Sequence, residues 1–524
     1  KINWLMLKNI SNNKFYNIFL FPLILGSLSV VSFEPISFTF VNFLTLPFFF
    51  LILLNIKKKS KSKYRKKPYK LNLFCAGLFF GFGFFLAGNF WISNSLSFDK
   101  NLTFLIPFAI LLIPLFLALF YAAGALITGM FINENLSSIL FFSAIISTID
   151  YLRGVIFTGF PWNSWAYSWS WFEEYLQFAR ISGFNTFNLI CVSLFCLPLI
   201  AFFNKKIKTR IFVLTFGAFI FFSLFIYGNY SINKDERDLL ENDIKNSTLF
   251  KIVSPGFEIN YGLSEKEIIN NLEKIIKYSE PDKDKETVFI WPEGVLSGYY
   301  FNELKEFKNI IKKNFSQKHV IIFGSNTFDP ISGKTYNSLI AINNDFNKLF
   351  QYNKIKLVPF GEFLPAHNFL EKIGLKKVTE GYGSFSPGNK KDIFNYKNYF
   401  ILPVICYEII FPEFFYSNKN SNLILNISED AWFGKSIGPH QHFAKAKFRA
   451  IENDNYLIRS ANKGFSAFLD NKGKIIKMLN PGEVGNIEFN VPITKGNKNT
   501  KNNLIFFILL FTYTTIFLYF NNEK

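Results

Sequence analysis

Glu293, Lys354 and Cys406 are residues of reactive type, and each stands just beyond a short apolar run of strand character. Phe400-Ile-Leu-Pro-Val-Ile-Cys406-Tyr-Glu408 reads as a buried strand delivering one thiol to the mouth of a sheet. The strand at 287–291 runs into Pro292-Glu293-Gly294 in the same manner. Each residue also has a plain structural reading. A free cysteine commonly fills core space, an acid after a strand is commonly a turn or salt-bridge residue, and a lysine beside Lys356 can belong to a solvated face. Together, however, the three suit acyl transfer. A thiol needs a base, which a carboxylate in a dry pocket provides if burial raises its proton affinity. A tetrahedral oxyanion needs a fixed positive donor, which an ammonium supplies, and the same ammonium favours thiolate over thiol.

The elements around these residues divide the chain in two. Its 524 residues leave room for two to four ordinary domains, and half of them are hydrophobic, 70 being Phe. Soluble chains of this size rarely have such a composition, so membrane segments are expected. Apolar runs long enough to cross a bilayer, roughly 20 residues each, lie near 16–34, 38–56, 72–92, 103–133, 137–156, 178–203 and 211–229, with a last one at 504–520. Acidic or basic residues in the middle of these runs are expected to be essentially absent, which argues against a transporter or channel. A cleaved signal peptide is not expected, because no small-residue cleavage site follows the first run and further spans come at once.

The formal charge of +19 is placed, not spread. Lys1, Lys8 and Lys14 precede the first run. Lys57, Lys58, Lys59, Lys61, Lys63, Arg65, Lys66, Lys67 and Lys70 follow the second, and Lys205, Lys206, Lys208 and Arg210 follow the sixth. With seven crossings before the soluble part, all three clusters fall on one face. The positive-inside rule makes that face cytoplasmic, along with both termini. Basic loops lying against anionic lipid heads account for much of the charge without a nucleic-acid partner. The expected division is a membrane domain of seven transmembrane helices over 1–230, an extracytoplasmic catalytic domain over 231–498, and a C-terminal transmembrane helix with a short tail over 499–524. The loop from Tyr151 to Tyr167, with Arg153, Trp162 and Trp165, fits either an interfacial aromatic belt or a re-entrant or lip element in which Arg153 meets a partner such as a phosphate.

From Leu249 onward, short strands alternate with amphipathic helices, which indicates one layered α/β domain. Ser264 opens a helix with Glu267 three residues on, the pattern of a capping box, and Asn471-Lys-Gly473 suits a hairpin turn. Phosphate-cradling and dinucleotide motifs are missing, so no cofactor is expected. Cys75, Cys191 and Cys196 fall in apolar runs, which leaves Cys406 without an extracytoplasmic partner to bridge. His440 and His442 lack a matched acidic spacing and are expected to bond locally, with no metal.

Trp291-Pro-Glu293-Gly, Tyr352-Asn-Lys354-Ile-Lys-Leu-Val-Pro-Phe-Gly-Glu362-Phe-Leu-Pro365 and Ile405-Cys406-Tyr407-Glu408 resemble the Glu-Lys-Cys signatures of the nitrilase (carbon–nitrogen hydrolase) superfamily. Their wording is similar to that of its membrane-bound apolipoprotein N-acyltransferase family. So are Asp430-Ala-Trp-Phe-Gly434, Gly438-Pro-His-Gln-His442, Arg449-Ala450, Arg459-Ser-Ala-Asn462, Arg153-Gly and Gly159-Phe-Pro-Trp-Asn163. The resemblance covers nearly the whole chain. It implies a polytopic α-helical bundle of about eight transmembrane helices carrying an αββα four-layer sandwich on the periplasmic side of the bacterial inner membrane. By motif it makes Cys406 the nucleophile, Glu293 the general base and Lys354 the oxyanion stabiliser, with Glu362, Tyr407 and Glu408 in supporting positions. It implies ping-pong transfer of an acyl chain from a phospholipid to the amino group of a diacylated apolipoprotein, by a monomer set among membrane lipid. A membrane-tethered amidase acting on a small amide is the alternative that shares the three residues. Two departures stand out: Ser254-Pro-Gly-Phe-Glu-Ile-Asn-Tyr261-Gly holds no tryptophan where the family commonly has one, and Glu429 replaces a usual asparagine.

Overall fold

The computed structural model describes residues 13–60, 69–203, 207–238, 247–260, 262–365, 384–416, 421–494 and 503–522. Lys1, Lys8, Lys61, Lys63, Arg65, Lys66, Lys67, Lys205, Lys206, Tyr261 and the expected boundary at 498/499 lie outside them. The chain forms two compact units, one of 1–93, 105–231 and 502–524, the other of 94–104 and 232–501.

Seven helices among the described residues of the chain are long and apolar enough to cross a membrane: Thr39–Lys59, Tyr69–Phe98, Lys100–Phe131, Leu136–Val155, Phe184–Phe203, Ile207–Lys234 and Leu504–Asn521. The first apolar run makes a shorter helix, Tyr16–Ser32. The run expected at 178–203 is interrupted. Gly183, at φ +79°, ends the helix Glu173–Ser182 and begins Phe184–Cys196. Lipid gives apolar side chains little reason to pair, so helices in a bilayer associate through close backbone approach at small residues. A Cβ on Gly26 would lie 2.0 Å from the Phe80 carbonyl oxygen, and one on Gly83 2.2 Å from that of Leu23. Phe108, Leu111, Leu112 and Leu115 of Lys100–Phe131 face outward and suit acyl chains.

Two expectations are corrected in this unit. The tryptophans of the 151–167 loop do not form an exposed interfacial belt, since Trp162 and Trp165 are at most 1 % exposed. Nor are the helices free of charge, because Leu136–Val155 buries both Asp150 and Arg153. Arg153 finds its partner in Asp150, at 3.1 Å, not in a phosphate; it also donates to the Phe160 carbonyl and lies over the Phe85 ring. Asp150 further accepts from the Tyr121 hydroxyl at 3.2 Å and the Asn188 amide at 3.1 Å. A buried charge is tolerated when its partner and the remaining lone pairs are all supplied nearby. Averaging hydropathy along a run hides such a pair, because its partners come from other helices.

The second unit is built on two six-stranded sheets. The first has the order β12-β1-β2-β3-β4-β5, from β1 (Thr248–Ser254), β2 (Thr287–Ile290), β3 (His319–Asp329), β4 (Lys334–Asn343), β5 (Lys348–Asn353) and β12 (Gly485–Val491). The second has the order β11-β10-β9-β8-β7-β6, from β6 (Phe394–Tyr396), β7 (Tyr399–Ile405), β8 (Leu423–Glu429), β9 (Tyr456–Asn462), β10 (Ser466–Leu469) and β11 (Ile475–Leu479). β1–β3 run parallel, as do β7–β9, and antiparallel strands flank each trio. The sheets stack face to face. Ser460 Oγ of β9 donates toward the Val253 and Ile290 carbonyls of β1 and β2, and Phe250 meets Tyr399 edge-on.

Helices close the outer faces. The capping box of Ser264 and Glu267 forms as expected and starts Glu265–Ser279. That helix lays Ile268, Leu272 and Ile275 against Phe289, Ile321 and Ile340 of the first sheet. Gly438–Asn453 covers the second sheet with almost every side chain buried. The order of layers is αββα.

Candidate active site

Strands of both sheets, β2 and β7 from the parallel trios and the flanking β5, end on the same groups that the sequence singled out, and the carboxyl ends of strands are where α/β folds place their ligands. β2 continues through Trp291 and Pro292 to Glu293, β5 leads directly to Lys354, and β7 to Cys406. Gly324 makes room for Glu293: a Cβ there would lie 2.7 Å from the Glu293 Cα.

Lys354 Nζ lies 3.3 Å from Glu293 Oε1 and 2.9 Å from Glu362 Oε1. Asn337, in the middle of β4, donates to both carboxylates, at 2.7 Å to Glu293 Oε1 and 2.8 Å to Glu362 Oε1. Glu362 is held in turn by the Val358 N–H on its Oε2 at 2.8 Å. Glu293 Oε2 accepts from the Glu429 N–H at 2.9 Å. Lys354 is buried, as are both carboxylates. Burial works against its charge, but the Glu293 and Glu362 carboxylates outweigh it and hold the ammonium above the usual lysine range.

Cys406 adopts φ +48°, a left-handed backbone that a non-glycine residue holds only under constraint, at a cost of about 1–3 kcal/mol. The constraint is Glu408. Its buried carboxylate accepts from the Ile405 N–H at 2.8 Å on one side and from Ile355 N–H, Lys356 N–H and Tyr352 Oη on the other, at 2.7, 3.1 and 2.7 Å. One side chain thus ties the turn bearing the thiol to the turn bearing the lysine. Tyr407 packs edge-on against Phe411. Burial pushes the Cys406 thiol up, the Glu293 and Asp430 charges add to that, and Lys354 and a hydrogen bond from Ser428 oppose it. On balance these surroundings favour the thiol over the thiolate.

Behind Cys406 lies a network whose members the sequence had only as motif letters. Asp430 accepts from Ser428 Oγ at 2.7 Å and Arg459 at 2.7 and 3.0 Å, with His442 Nδ1 at 3.0 Å. His440 instead packs against the Phe465 ring. Burial opposes the Asp430 charge, yet Arg459 and His442 hold the carboxyl far below the usual range. Segment 94–104, which enters from the apolar half of the sequence, belongs to this unit. Asn94 Nδ2 donates to the Phe433 carbonyl at 2.8 Å, and Phe98 meets Trp432 edge-on. Sequence reasoning missed Asn337, although a buried asparagine at the centre of an apolar strand was its signal.

The fold and this arrangement define a class: a carbon–nitrogen hydrolase-type α/β domain borne by a chain with a set of membrane-length helices. The pattern of the carbon–nitrogen hydrolase family matches residues 263–492, and that of the apolipoprotein N-acyltransferase N-terminal domain matches residues 25–197. An apolipoprotein N-acyltransferase of Rickettsia prowazekii is 32% identical over 479 residues, covering 90% of this chain and 91% of the relative. One of Rickettsia bellii is 32% identical over 507 residues, covering 94% and 96%. Among solved structures, a nitrilase-superfamily member from Saccharomyces cerevisiae is similar over 46% of this chain and 89% of its own, with 18% identity and a TM-score of 0.34. The chain belongs to the apolipoprotein N-acyltransferase family and is a multi-pass membrane acyltransferase.

Proposed function

We propose that the enzyme moves an acyl chain from a phospholipid to the α-amino group of a diacylglyceryl-cysteine at the start of an apolipoprotein, through a thioester on Cys406. Its relatives, named as apolipoprotein acyltransferases, supply the acceptor class, and the observation that carries the chemistry is the buried pairing of Glu293 with Lys354 beside the Cys406 thiol.

Glu293 takes the proton from Cys406 as the sulfur attacks the donor ester carbonyl, and returns it to the departing lysophospholipid oxygen. An ammonium has three donors. Glu362 and Glu293 engage two in the resting site, which leaves the third for the oxyanion. Asn337 and Glu362 keep the lysine and base in register, and Glu408 with Tyr407 holds the thiol turn. The amine then attacks the thioester, and Glu293 carries its proton to the sulfur.

One chain holds every group this scheme uses, so the working unit is a monomer. We also propose the inner membrane as the site of action, with 231–498 on the periplasmic side, 1–230 and 499–524 in or against the membrane, and both termini cytoplasmic. Seven long apolar helices and the clustering of lysines support this reading. The test is to incubate purified enzyme with phospholipid labelled in its acyl chain. The label should reach Cys406 as a hydroxylamine-sensitive thioester and then pass to a diacylated lipopeptide. Cys406→Ala should carry none, and a normal acyl-enzyme signal in that variant would remove Cys406 from the mechanism.

A further inference from the structure

The scheme above leaves one proton unassigned. An α-amino group has a pKa of about 8, so the acceptor arrives at neutral pH as an ammonium and must lose two protons to become an amide. One returns to the Cys406 sulfur through Glu293. The other needs a second base.

We propose that Glu429 is that base, receiving the acceptor's ammonium on its carboxylate and taking the first proton before the amine attacks. This rests on the function proposed above and extends it to the second half-reaction. Glu429 ends β8 next to Glu293, and its backbone N–H is bound to Glu293 Oε2 at 2.9 Å. Its own carboxylate lies over Gly294, where a Cβ would come 3.4 Å from Oε2. Oε1 accepts from the Ala431 N–H at 3.1 Å and from Asn462 Nδ2 at 2.9 Å. Among the described residues Oε2 accepts only the second, 3.0 Å branch of that Asn462 contact, so it retains lone-pair capacity for a donor from a ligand.

Asn462 fixes the carboxylate against the altered segment after β1. It donates to the Phe257 carbonyl at 2.8 Å and accepts from the Phe257 N–H at 2.9 Å. The titratable and charged groups around Glu429 come from several elements: Glu293 and Lys354 beyond β2 and β5, Cys406 beyond β7, and Asp430 with Arg459 and His442. The Glu258–Lys463 pair lies at the loop. Burial lifts the Glu429 carboxyl well above the usual carboxylate range. Asn462 and the Ala431 N–H oppose this, and Glu293 and Asp430 add to it. The carboxylate form of such a group is a stronger base than an ordinary carboxylate.

The steps balance. The ammonium and the Glu429 carboxylate become amine and carboxylic acid. The amine forms its C–N bond to the thioester carbon, and the C–S bond breaks. The second nitrogen proton passes through Glu293 to the Cys406 sulfur, and Glu429 returns its proton to water.

The experiment uses the full-length enzyme in detergent, first acylated with labelled phospholipid and freed of donor. It compares the release of thioester to a diacylated lipopeptide with release to hydroxylamine, an amine uncharged at neutral pH. In Glu429→Gln, transfer to the lipopeptide at pH 6.5 should fall by about tenfold or more relative to hydroxylamine, and should recover as pH rises through the amine pKa of about 8. Equal loss toward both acceptors, or a wild-type pH profile, overturns the proposal. If the Gln variant accumulates no thioester, Glu429→Asn is put through the same comparison, with the same outcomes deciding. If the wild-type enzyme itself forms no thioester, the Cys406 reading fails and this proposal falls with it, which a defect seen only at deacylation cannot mimic.

Discussion

At the scale of single residues, chemistry here depends on what surrounds each side chain. Cys406 sits in a left-handed backbone turn, and its environment favours the thiol, so proton removal by Glu293 is part of every turnover we propose. The Asp430 network behind it is a residue-scale determinant of stability. His442 is buried with a pKa lowered from 6.5 to about 4, by burial and by the Arg459 charge. The unfolded chain therefore takes up a proton between those values that the folded chain does not, and stability falls as pH drops from 6.5 toward 4. The single group contributes up to about 3 kcal/mol over that window. Thermal melts of the wild-type enzyme should show this acid loss, and His442→Gln should flatten the slope between pH 6.5 and 4. An unchanged slope in the variant would assign the acid sensitivity elsewhere.

At the scale of elements, the site is an alignment of strand ends, and Glu408 is the part that keeps two of them together. Its four hydrogen bonds join the end of β7 to β5 and the turn after it. Removing the carboxylate leaves buried N–H donors without acceptors, each costing about 1–3 kcal/mol. Glu408→Ala should destabilise the protein by at least about 3 kcal/mol. It should also slow thioester formation more than Tyr352→Phe, which withdraws one donor and leaves the backbone bonds intact. Equal melting temperatures for Glu408→Ala and wild type would refute the clamp. The same logic applies in the apolar unit, where Asp150 and Arg153 bring three helices and a loop to one point.

At the scale of the whole molecule, a catalytic α/β domain and a set of apolar helices share one chain, as expected of an enzyme whose proposed substrates are both lipids. Lysine clusters decide the proposed orientation, through the cytoplasmic excess of positive charge in short loops. Alkaline phosphatase, which is active only outside the cytoplasm, should be active when joined after Gly482 and inactive when joined after Lys59. The reverse pattern would place the catalytic domain in the cytoplasm and exclude the proposed substrates. The pairing of both domain patterns with relatives that match over nine-tenths of the chain makes the acyltransferase assignment rest on both halves of the sequence, not on the catalytic domain alone.

Sequence alone determined the fold class, where most of the apolar helices lie, and that Glu293, Lys354 and Cys406 each follow a strand. These features are local: hydrophobic runs, strand-length segments and the turn residues that close them are written in consecutive positions. Only the tertiary structure decided who meets whom. Asn337 bridges two carboxylates 44 and 25 residues away, Glu408 reaches 53 residues back to the lysine turn, and Arg153 satisfies Asp150 instead of waiting at a surface. A buried polar side chain looks like an isolated flaw in an apolar run until the sheet or helix packing brings its partner. Cys406 shows both halves: its address was legible, but its thiol state comes from burial and from charges contributed by other strands.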